Sequence, residues 1–258
     1  MVEQGGDYRD IFTTPDTYMT RTLAMVYKVP YMSNSAWAPY TFPADSGRAG
    51  VLTQVSFLSL FAHPAQSSPT KRGAALNEIF LCQPVPPPPA DVDFSAVNGA
   101  GPDRQKTARL RLEQHRTNPS CAACHQIMDP LGLTLEKFDA LGQARDTEDG
   151  QPIDVSSLYG NVKFEGAAGL GKVMHDNPET SSCVVRNIYA TGTGRAPIGG
   201  DFTTLQTLTK AFASGGYRVP AFMKAAARGE SFFSVPSPAK PKLAQADTTT
   251  SAQKDIRQ

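Results

Sequence analysis

Residues 121–145 read CAACHQIMDPLGLTLEKFDALGQAR and open with the pattern C-x-x-C-H. Cys121 and Cys124 stand one helical turn apart, so both thiols can reach the vinyl carbons on one edge of a porphyrin. His125 follows directly and can place its imidazole on the iron. The spacing therefore predicts one covalently attached haem c, with His125 as the proximal iron ligand.

Two other chemistries use a C-x-x-C pair, a thioredoxin-like dithiol and half of a zinc site. A dithiol does not need a histidine directly after its second cysteine. A zinc site usually needs a second pair of ligands at comparable spacing, and the remaining cysteines, Cys82 and Cys183, do not supply one. The motif therefore favours haem over both alternatives.

Helix signals surround the motif. Asn118 and Pro119 form a helix start, which predicts a short helix carrying both cysteines and His125. Asp129 and Pro130 repeat this signature and predict that a further helix begins there. One face of that helix carries the apolar residues Leu131, Leu135 and Phe138, and Gly142 lies just beyond its end. This face is a candidate for the dry wall of a haem pocket or for ordinary core packing.

Hydrophobic spacing elsewhere predicts a mainly α protein with a small β-hairpin. Pro84 and the prolines at 86–89 predict an extended strap, and the polar composition of 236–258 predicts a disordered tail. Helices or helical turns are expected near residues 7–27, 51–62, 71–81, 103–116, 167–175, 182–190, 203–214 and 220–228, a hairpin over 151–164, and loop or short strands over 31–46.

Composition argues against two classes of partner. The 258 residues suffice for one large or two small domains, and the formal net charge is +1. A chain this close to neutral lacks the excess of positive charge that is typical of nucleic-acid-binding proteins. Its apolar runs, such as residues 51–62, are interrupted by polar residues well short of the length of a bilayer-spanning helix, so we expect no membrane span.

The stretches flanking the motif carry a family resemblance. SSPTKRG at 67–73, LCQPVPPPP at 81–89 and GQPIDVSS at 150–157 accompany the C-x-x-C-H segment. Together they resemble the planctomycete- and myxobacterial-type cytochrome proteins built from the consecutive domains of unknown function 1592, 1588 and 1585. The resemblance extends over most of residues 1–235 and implies an attached haem, without an established reaction.

This resemblance implies a division of the chain into four segments. Residues 1–46 correspond to the tail of a preceding helical domain and 47–150 to a cytochrome c-like helical domain that holds the haem. Residues 151–235 correspond to a small helical C-terminal domain, followed by the tail at 236–258.

Haem is joined to C-x-x-C-H motifs outside the cytoplasm, which predicts a periplasmic or cell-surface protein. Residues 1–8 are polar and contain glycine, with no basic start and no apolar stretch of the signal-peptide type. We therefore expect the sequence to be the C-terminal part of a longer exported polypeptide.

The sixth iron ligand decides between electron transfer and catalysis. Met174 has a separation from the motif similar to that in small cytochromes c, but it also lies on an apolar helical face. His115 and His63 are the alternatives, and an open position remains another. Met128 is excluded because it lies three residues beyond His125 on the same helix and so begins on the proximal side.

Two further sets of residues have candidate roles. Cys82 and Cys183 either form a disulfide or are two buried thiols, since sequence does not fix the distance between them. Basic side chains that could bind the haem propionates are Lys71, Arg72, Arg145 and Arg195.

The sequence favours a single-haem electron carrier, or an electron-transfer domain, with a redox partner protein. The alternative is a haem oxidoreductase of the peroxidase or oxygenase kind, with an open distal site and His63 or His115 as acid and base. The family resemblance adds a third interpretation, a haem subunit of a larger surface or polysaccharide-related complex.

Overall fold

Helices form most of the fold in the computed structural model, which describes residues 5–48, 50–87, 107–117, 119–229 and 233. The α-helices are α1 Arg21–Tyr27, α2 Val55–Leu60, α3 Pro69–Ala75, α4 Ala108–His115, α5 Pro119–Gly132, α6 Gly166–Asp176, α7 Pro178–Thr193, α8 Phe202–Ser214 and α9 Val219–Ala226. α3 continues as one π-helical turn, Leu76–Phe80, and 3-10 turns include Tyr8–Phe12, Val51–Thr53 and Leu133–Leu135. The expectation of a mainly α protein is confirmed.

Short antiparallel pairs supply the only strands in the described ranges. The strands are β1 Asp16–Met19, β2 Ala38–Thr41, β3 Thr147–Glu148, β4 Gln151–Pro152, β5 Ser156–Tyr159 and β6 Val162–Glu165. They pair as β1 with β2, β3 with β4 and β5 with β6. The hairpin expected over 151–164 is confirmed by β5 and β6, and β2 lies within the stretch at 31–46.

Local capping explains where several helices begin and end. The Ser68 side chain accepts a hydrogen bond from the backbone N–H of Lys71, and Pro69 occupies the first turn of α3. Asn177 caps α7 in the same way ahead of Pro178, and α7 ends at Gly194 with φ +68°. These signals are local, which is why the helices expected near 71–81 and 182–190 are found.

One buried core joins segments that are far apart in the chain. It includes Phe12 before α1, Leu58 in α2 and Leu135 after α5. It also includes Leu170 in α6 and Phe212 in α8. A smaller cluster packs β1, α1 and β2 together through the side chains of Met19, Ala24, Tyr27 and Phe42. The helices of the C-terminal half therefore bury their apolar faces against the part of the chain that carries the C-x-x-C-H motif.

The helix start expected at Asp129 and Pro130 is wrong. α5 runs without a break from Pro119 to Gly132, with Pro130 inside it. The Asp129 carboxylate does not cap a new helix, because it contacts His125 one turn earlier and Thr70 on α3. Tertiary packing thus keeps the chain helical across a proline that would ordinarily end or kink it.

Several expected features lie outside the described residues. They include part of the proline strap, residues 88–89, and the expected tail at 236–258. The helix expected over 103–116 is described only from Thr107, and α4 accounts for that part. No helix in the described ranges combines the length and apolar character that a membrane span requires.

Candidate cofactor site

The three residues of the C-x-x-C-H motif lie within the first two turns of α5. Cys121 and Cys124 are free thiols, and both are partly exposed. Residues three and four apart on a helix share a face, so the two sulfur atoms lie on the same side of α5. The His125 side chain is 13% exposed. The geometry therefore offers two accessible thiols beside a largely buried imidazole.

A buried carboxylate fixes the His125 ring. The Nδ1 atom of His125 lies 3.1 Å from Oδ1 and 3.0 Å from Oδ2 of Asp129, one turn later on α5. The Asp129 side chain has no exposed surface. An ionised carboxylate only accepts hydrogen bonds, so with Asp129 ionised this contact would require a proton on Nδ1 of His125. That tautomer has its lone pair on Nε2, the nitrogen that would bind a metal.

α3 supplies a second hydrogen bond to the same carboxylate. The Thr70 hydroxyl donates to Oδ1 of Asp129 at 3.0 Å. About two turns later, in the π-helical turn that continues α3, the Asn77 side-chain amide donates to the Ile127 carbonyl oxygen of α5 at 3.2 Å. Two helices that are distant in sequence are thereby held in one register beside the motif.

Glycines allow α3 and α5 to approach at backbone distance. A Cβ atom at Gly73 on α3 would overlap the Met128 carbonyl group of α5. A Cβ atom at Gly132 on α5 would overlap the Pro69 carbonyl group of α3. Any larger residue at either position would push the helices apart. The close contact is what brings Thr70 within reach of Asp129.

Arg72 ties the end of this helix pair to the segment that follows it. Its side chain has no exposed surface and lies 3.4 Å from the Glu136 carboxylate. Burial lowers the pKa of Arg72 to about 10, against the opposing effect of Glu136, so the guanidinium stays charged at neutral pH. Its nitrogens also donate to the carbonyl oxygens of Leu58 at 3.2 Å, Leu135 at 3.1 Å, Phe138 at 2.8 Å and Asp139 at 2.6 Å.

Glu136 is the buried acceptor at the centre of this network. Arg145 approaches it at 3.0 Å, and the Ser67 hydroxyl donates to it at 2.8 Å. Burial raises the pKa of Glu136, and the charges of Arg72 and Arg145 oppose that change. The network joins residues 67–72 to residues 135–145, so two of the stretches that carry the family resemblance meet in space.

A disulfide links Cys82 to Cys183, with 5.3 Å between their Cα atoms. It fastens the chain just after the π-helical turn to the middle of α7. Of the two alternatives for this pair, the structure contains the disulfide. The motif cysteines are thus the free thiols among the four cysteines of the chain.

A comparison with known families places this helix pair in a described group. Residues 48–148 match the family PSCyt3, a protein of unknown function (DUF1588). Searches of curated proteins and of solved structures found no match to the chain. The PSCyt3 segment runs from before α2 to β3 and contains α3, α5 and the C-x-x-C-H motif. One of the three domains implied by the resemblance is therefore confirmed, and the other two stay predictions.

The residues present fit a covalently attached haem. Two free thiols at the required spacing lie on one helix, and the contact of the adjacent imidazole with Asp129 engages Nδ1 and leaves Nε2 as the nitrogen for a metal. Within the described ranges, no group of three or more His, Cys, Asp and Glu side chains could hold a metal ion. A surface cavity of about 470 Å³, lined among others by Lys137, Arg145 and Glu165, does not include the motif residues.

Each candidate for the sixth iron ligand has a different setting. Met174 on α6 is fully buried in the main core. His63 is partly exposed in a turn bridged to Gln66, and burial, with the nearby charge of Lys71, lowers its pKa. His115 ends α4, but its side chain lies outside the described residues. The identity of the sixth ligand stays a prediction.

The expectation that Arg72 binds a haem propionate is wrong, because its guanidinium is fully buried among backbone carbonyls. Arg145 pairs with Glu136 inside the PSCyt3 segment. Arg195 pairs with Asp201 at 2.6 Å, after α7. Lys71 is exposed, and its ammonium group donates to the Ala62 carbonyl oxygen at 3.3 Å.

Sequence reasoning missed the contact between Asp129 and His125. The spacing of four residues on one helix was a usable signal, since such residues share a face. The following proline made Asp129 resemble a helix cap instead. Thr70 carried no signal of its own, because its role depends on packing between α3 and α5.

Proposed function

We propose that this chain holds one haem c through Cys121, Cys124 and His125 and acts as an electron-transfer domain. The observation that supports the proposal most strongly is the pairing of two free thiols with an imidazole whose Nδ1 is engaged by the buried Asp129. The PSCyt3 name of the matching family is in keeping with a cytochrome-related domain.

Haem, when bound, supplies a one-electron couple whose potential depends on its ligands and on their surroundings. The protein's own residues do the positioning. The two thiols would fix one edge of the ring to α5, and His125 would bind the iron through Nε2. Asp129 and Thr70 hold the imidazole in one orientation. A ligand that is already held in one orientation moves little when the iron changes its oxidation state. Small movement of this kind favours electron transfer.

The disulfide supports an exported location. Disulfides persist in oxidising compartments and are rare in the cytosol. The Cys82–Cys183 bond therefore fits the same compartment as covalent haem attachment. We propose a periplasmic or cell-surface protein that exchanges electrons with a partner protein, either alone or as part of a longer polypeptide or complex.

The test is expression in a bacterial host that exports the chain and carries a cytochrome maturation system. We expect red protein with the mass of one added haem and the absorption spectrum of a thioether-linked haem after denaturation in alkaline pyridine. The Cys121→Ala, Cys124→Ala double variant should lose the covalent haem. Cys82→Ala with Cys183→Ala, which also removes two cysteines, should keep it. Colourless native protein of unmodified mass would overturn the proposal.

A second candidate is a haem oxidoreductase with an open sixth position. The full burial of Met174 in the main core favours it, since a side chain packed there already has a structural role. Carbon monoxide distinguishes the two functions. A reduced spectrum unchanged by the gas indicates two strong axial ligands and supports the electron carrier. A large spectral shift indicates an open position and supports the oxidoreductase.

A further inference from the structure

We infer that Asp129 is a positioning residue that lowers the reduction potential of the iron through His125, and that Thr70 moderates this effect. The inference rests on the proposed haem function. Its basis is a chain of two contacts, 3.0 Å from His125 Nδ1 to Asp129 Oδ2 and 3.0 Å from the Thr70 hydroxyl to Asp129 Oδ1.

The burial of Asp129 makes this chain of contacts unusual. A carboxylate with no exposed surface is unfavourable unless hydrogen bonds and neighbouring charge compensate for its lost hydration. Both of its oxygens are engaged, because His125 Nδ1 lies 3.1 Å from Oδ1 and 3.0 Å from Oδ2, and Thr70 donates to Oδ1. The carboxylate is therefore part of the ligand's environment, with little opportunity to exchange partners with water.

The electronic effect follows from the direction of the hydrogen bond. A carboxylate that accepts the Nδ1 proton increases the basicity of the imidazole, so Nε2 becomes a stronger donor to a metal. A stronger donor stabilises the more positive, oxidised iron and lowers the reduction potential. The Thr70 hydroxyl also donates a hydrogen bond to this carboxylate and so weakens the bond that the carboxylate accepts from His125. Its removal leaves more of the carboxylate charge for His125.

Two substitutions should therefore move the potential in opposite directions. Asp129→Asn replaces the charged acceptor with a neutral amide and should raise the potential. The expected change is at least about tenfold in the reduction equilibrium, which corresponds to about 59 mV for a one-electron couple. Thr70→Val removes only the hydroxyl donor and should lower the potential by a smaller amount. Thr70→Ser keeps the donor and should leave the potential close to the native value.

The measurement is spectroelectrochemical titration of the haem-loaded native protein and the three variants, with haem content and mass determined on each sample. Opposite shifts in Asp129→Asn and Thr70→Val support the inference, because simple loosening of the site would move both potentials in the same direction. An unchanged or lowered potential in haem-loaded Asp129→Asn overturns it. If Asp129→Asn acquires no haem, Thr70→Val decides alone, and an unchanged or raised potential overturns the inference.

Haem content separates this inference from the proposed function. Native protein that acquires no covalent haem overturns both. Native protein with covalent haem but without the expected shifts retains the proposed function and overturns only the role of Asp129 and Thr70.

Discussion

The PSCyt3 segment and the C-terminal helices α6–α9 are stabilised by different kinds of interaction. Arg72, Asp129 and Glu136 are buried charged groups of the segment, and each forms hydrogen bonds with groups on other elements. The C-terminal helices contribute buried apolar side chains such as Leu170 and Phe212 to the core. Hydrogen bonds are directional and apolar packing is not, so the first region can fix the orientation of a ligand.

The difference shows where the geometry of a site is specified. Buried polar networks do not by themselves increase stability, because desolvation offsets much of the attraction between charges. Here they connect residues 67–72, at the start of α3, to residues 135–145, and Thr70 of α3 bonds to Asp129 of α5. The C-terminal helices contribute to the apolar core, and the disulfide fastens α7 to the chain just after the π-helical turn. Polar contacts of the PSCyt3 segment should therefore set the ligand geometry, and apolar packing of the C-terminal helices should mainly supply stability. The following four predictions test this division of roles, from the largest expected effect to the smallest.

Arg72→Met should give the largest loss of stability. It leaves Glu136 with one guanidinium partner and removes the donors to four backbone carbonyls. Breaking a buried pair in this way costs about 4 kcal/mol of unfolding free energy, measured by urea denaturation. Arg195→Met, which removes an arginine from a partly exposed pair with Asp201, is the control and should have a much smaller effect. Equal losses in the two variants would contradict the division.

Leu170→Ala tests the apolar region. Leu170 is fully buried on α6, and truncation should cost about 3 kcal/mol through lost burial and the cavity left behind. The absorption spectrum and potential of the haem-loaded protein should nevertheless match the native protein at temperatures where both are folded. A shifted potential in this variant would show that the C-terminal helices also set the ligand geometry.

Gly73→Ala tests the close approach of α3 and α5. The added methyl group meets the Met128 backbone, which cannot move as a flexible side chain would. Overpacking of this kind should cost about 2 kcal/mol and separate Thr70 from Asp129. The potential should therefore shift in the direction expected for Thr70→Val. Gly199→Ala, at an open position after α7, is the matched control and should be silent in both measurements.

The smallest effect concerns Tyr8, whose ring stacks on Phe212 at 5.5 Å between centroids. Burial raises the pKa of Tyr8 to about 12 from its ordinary value of 10.0. The folded state retains this proton more tightly than the unfolded chain, so the stabilisation is complete below about pH 10 and is lost as pH rises toward 12. Tyr8→Phe should therefore lose less stability over that interval in parallel urea titrations. Identical pH profiles would contradict the assignment.

Hydrophobic spacing along the sequence predicted most of the helices, because each of them depends mainly on its own residues. Hydrophobic spacing was enough to expect helices near 71–81 and 182–190, but it missed the caps at Ser68 and Asn177, so α3 and α7 begin earlier than expected, at Pro69 and Pro178. The uninterrupted course of α5 could not, because it requires packing against a helix some fifty residues away in the chain. For the same reason Arg72 was one of four candidates for binding a propionate, whereas its partners are Glu136 and backbone carbonyl oxygens.

The site was predictable in its chemistry and less so in its surroundings. The C-x-x-C-H spacing by itself pointed to the two thiols and the imidazole that we propose as the haem attachment. The sequence did not identify Asp129 as the partner of His125. An aspartate before a proline is typical of a helix cap, but an aspartate four residues after a histidine can also contact it on one helix face. Only the position of Thr70 on the neighbouring helix distinguishes between them.

Peptide mass spectrometry of the exported, matured protein tests the central claim most directly. Digestion should release a fragment that contains Cys121 and Cys124 and carries the mass of one haem joined through both sulfur atoms. The Cys82 and Cys183 peptides should emerge as a disulfide-linked pair without haem. A C-x-x-C-H fragment recovered only with free thiols, or with its two cysteines oxidised to each other, would contradict the account.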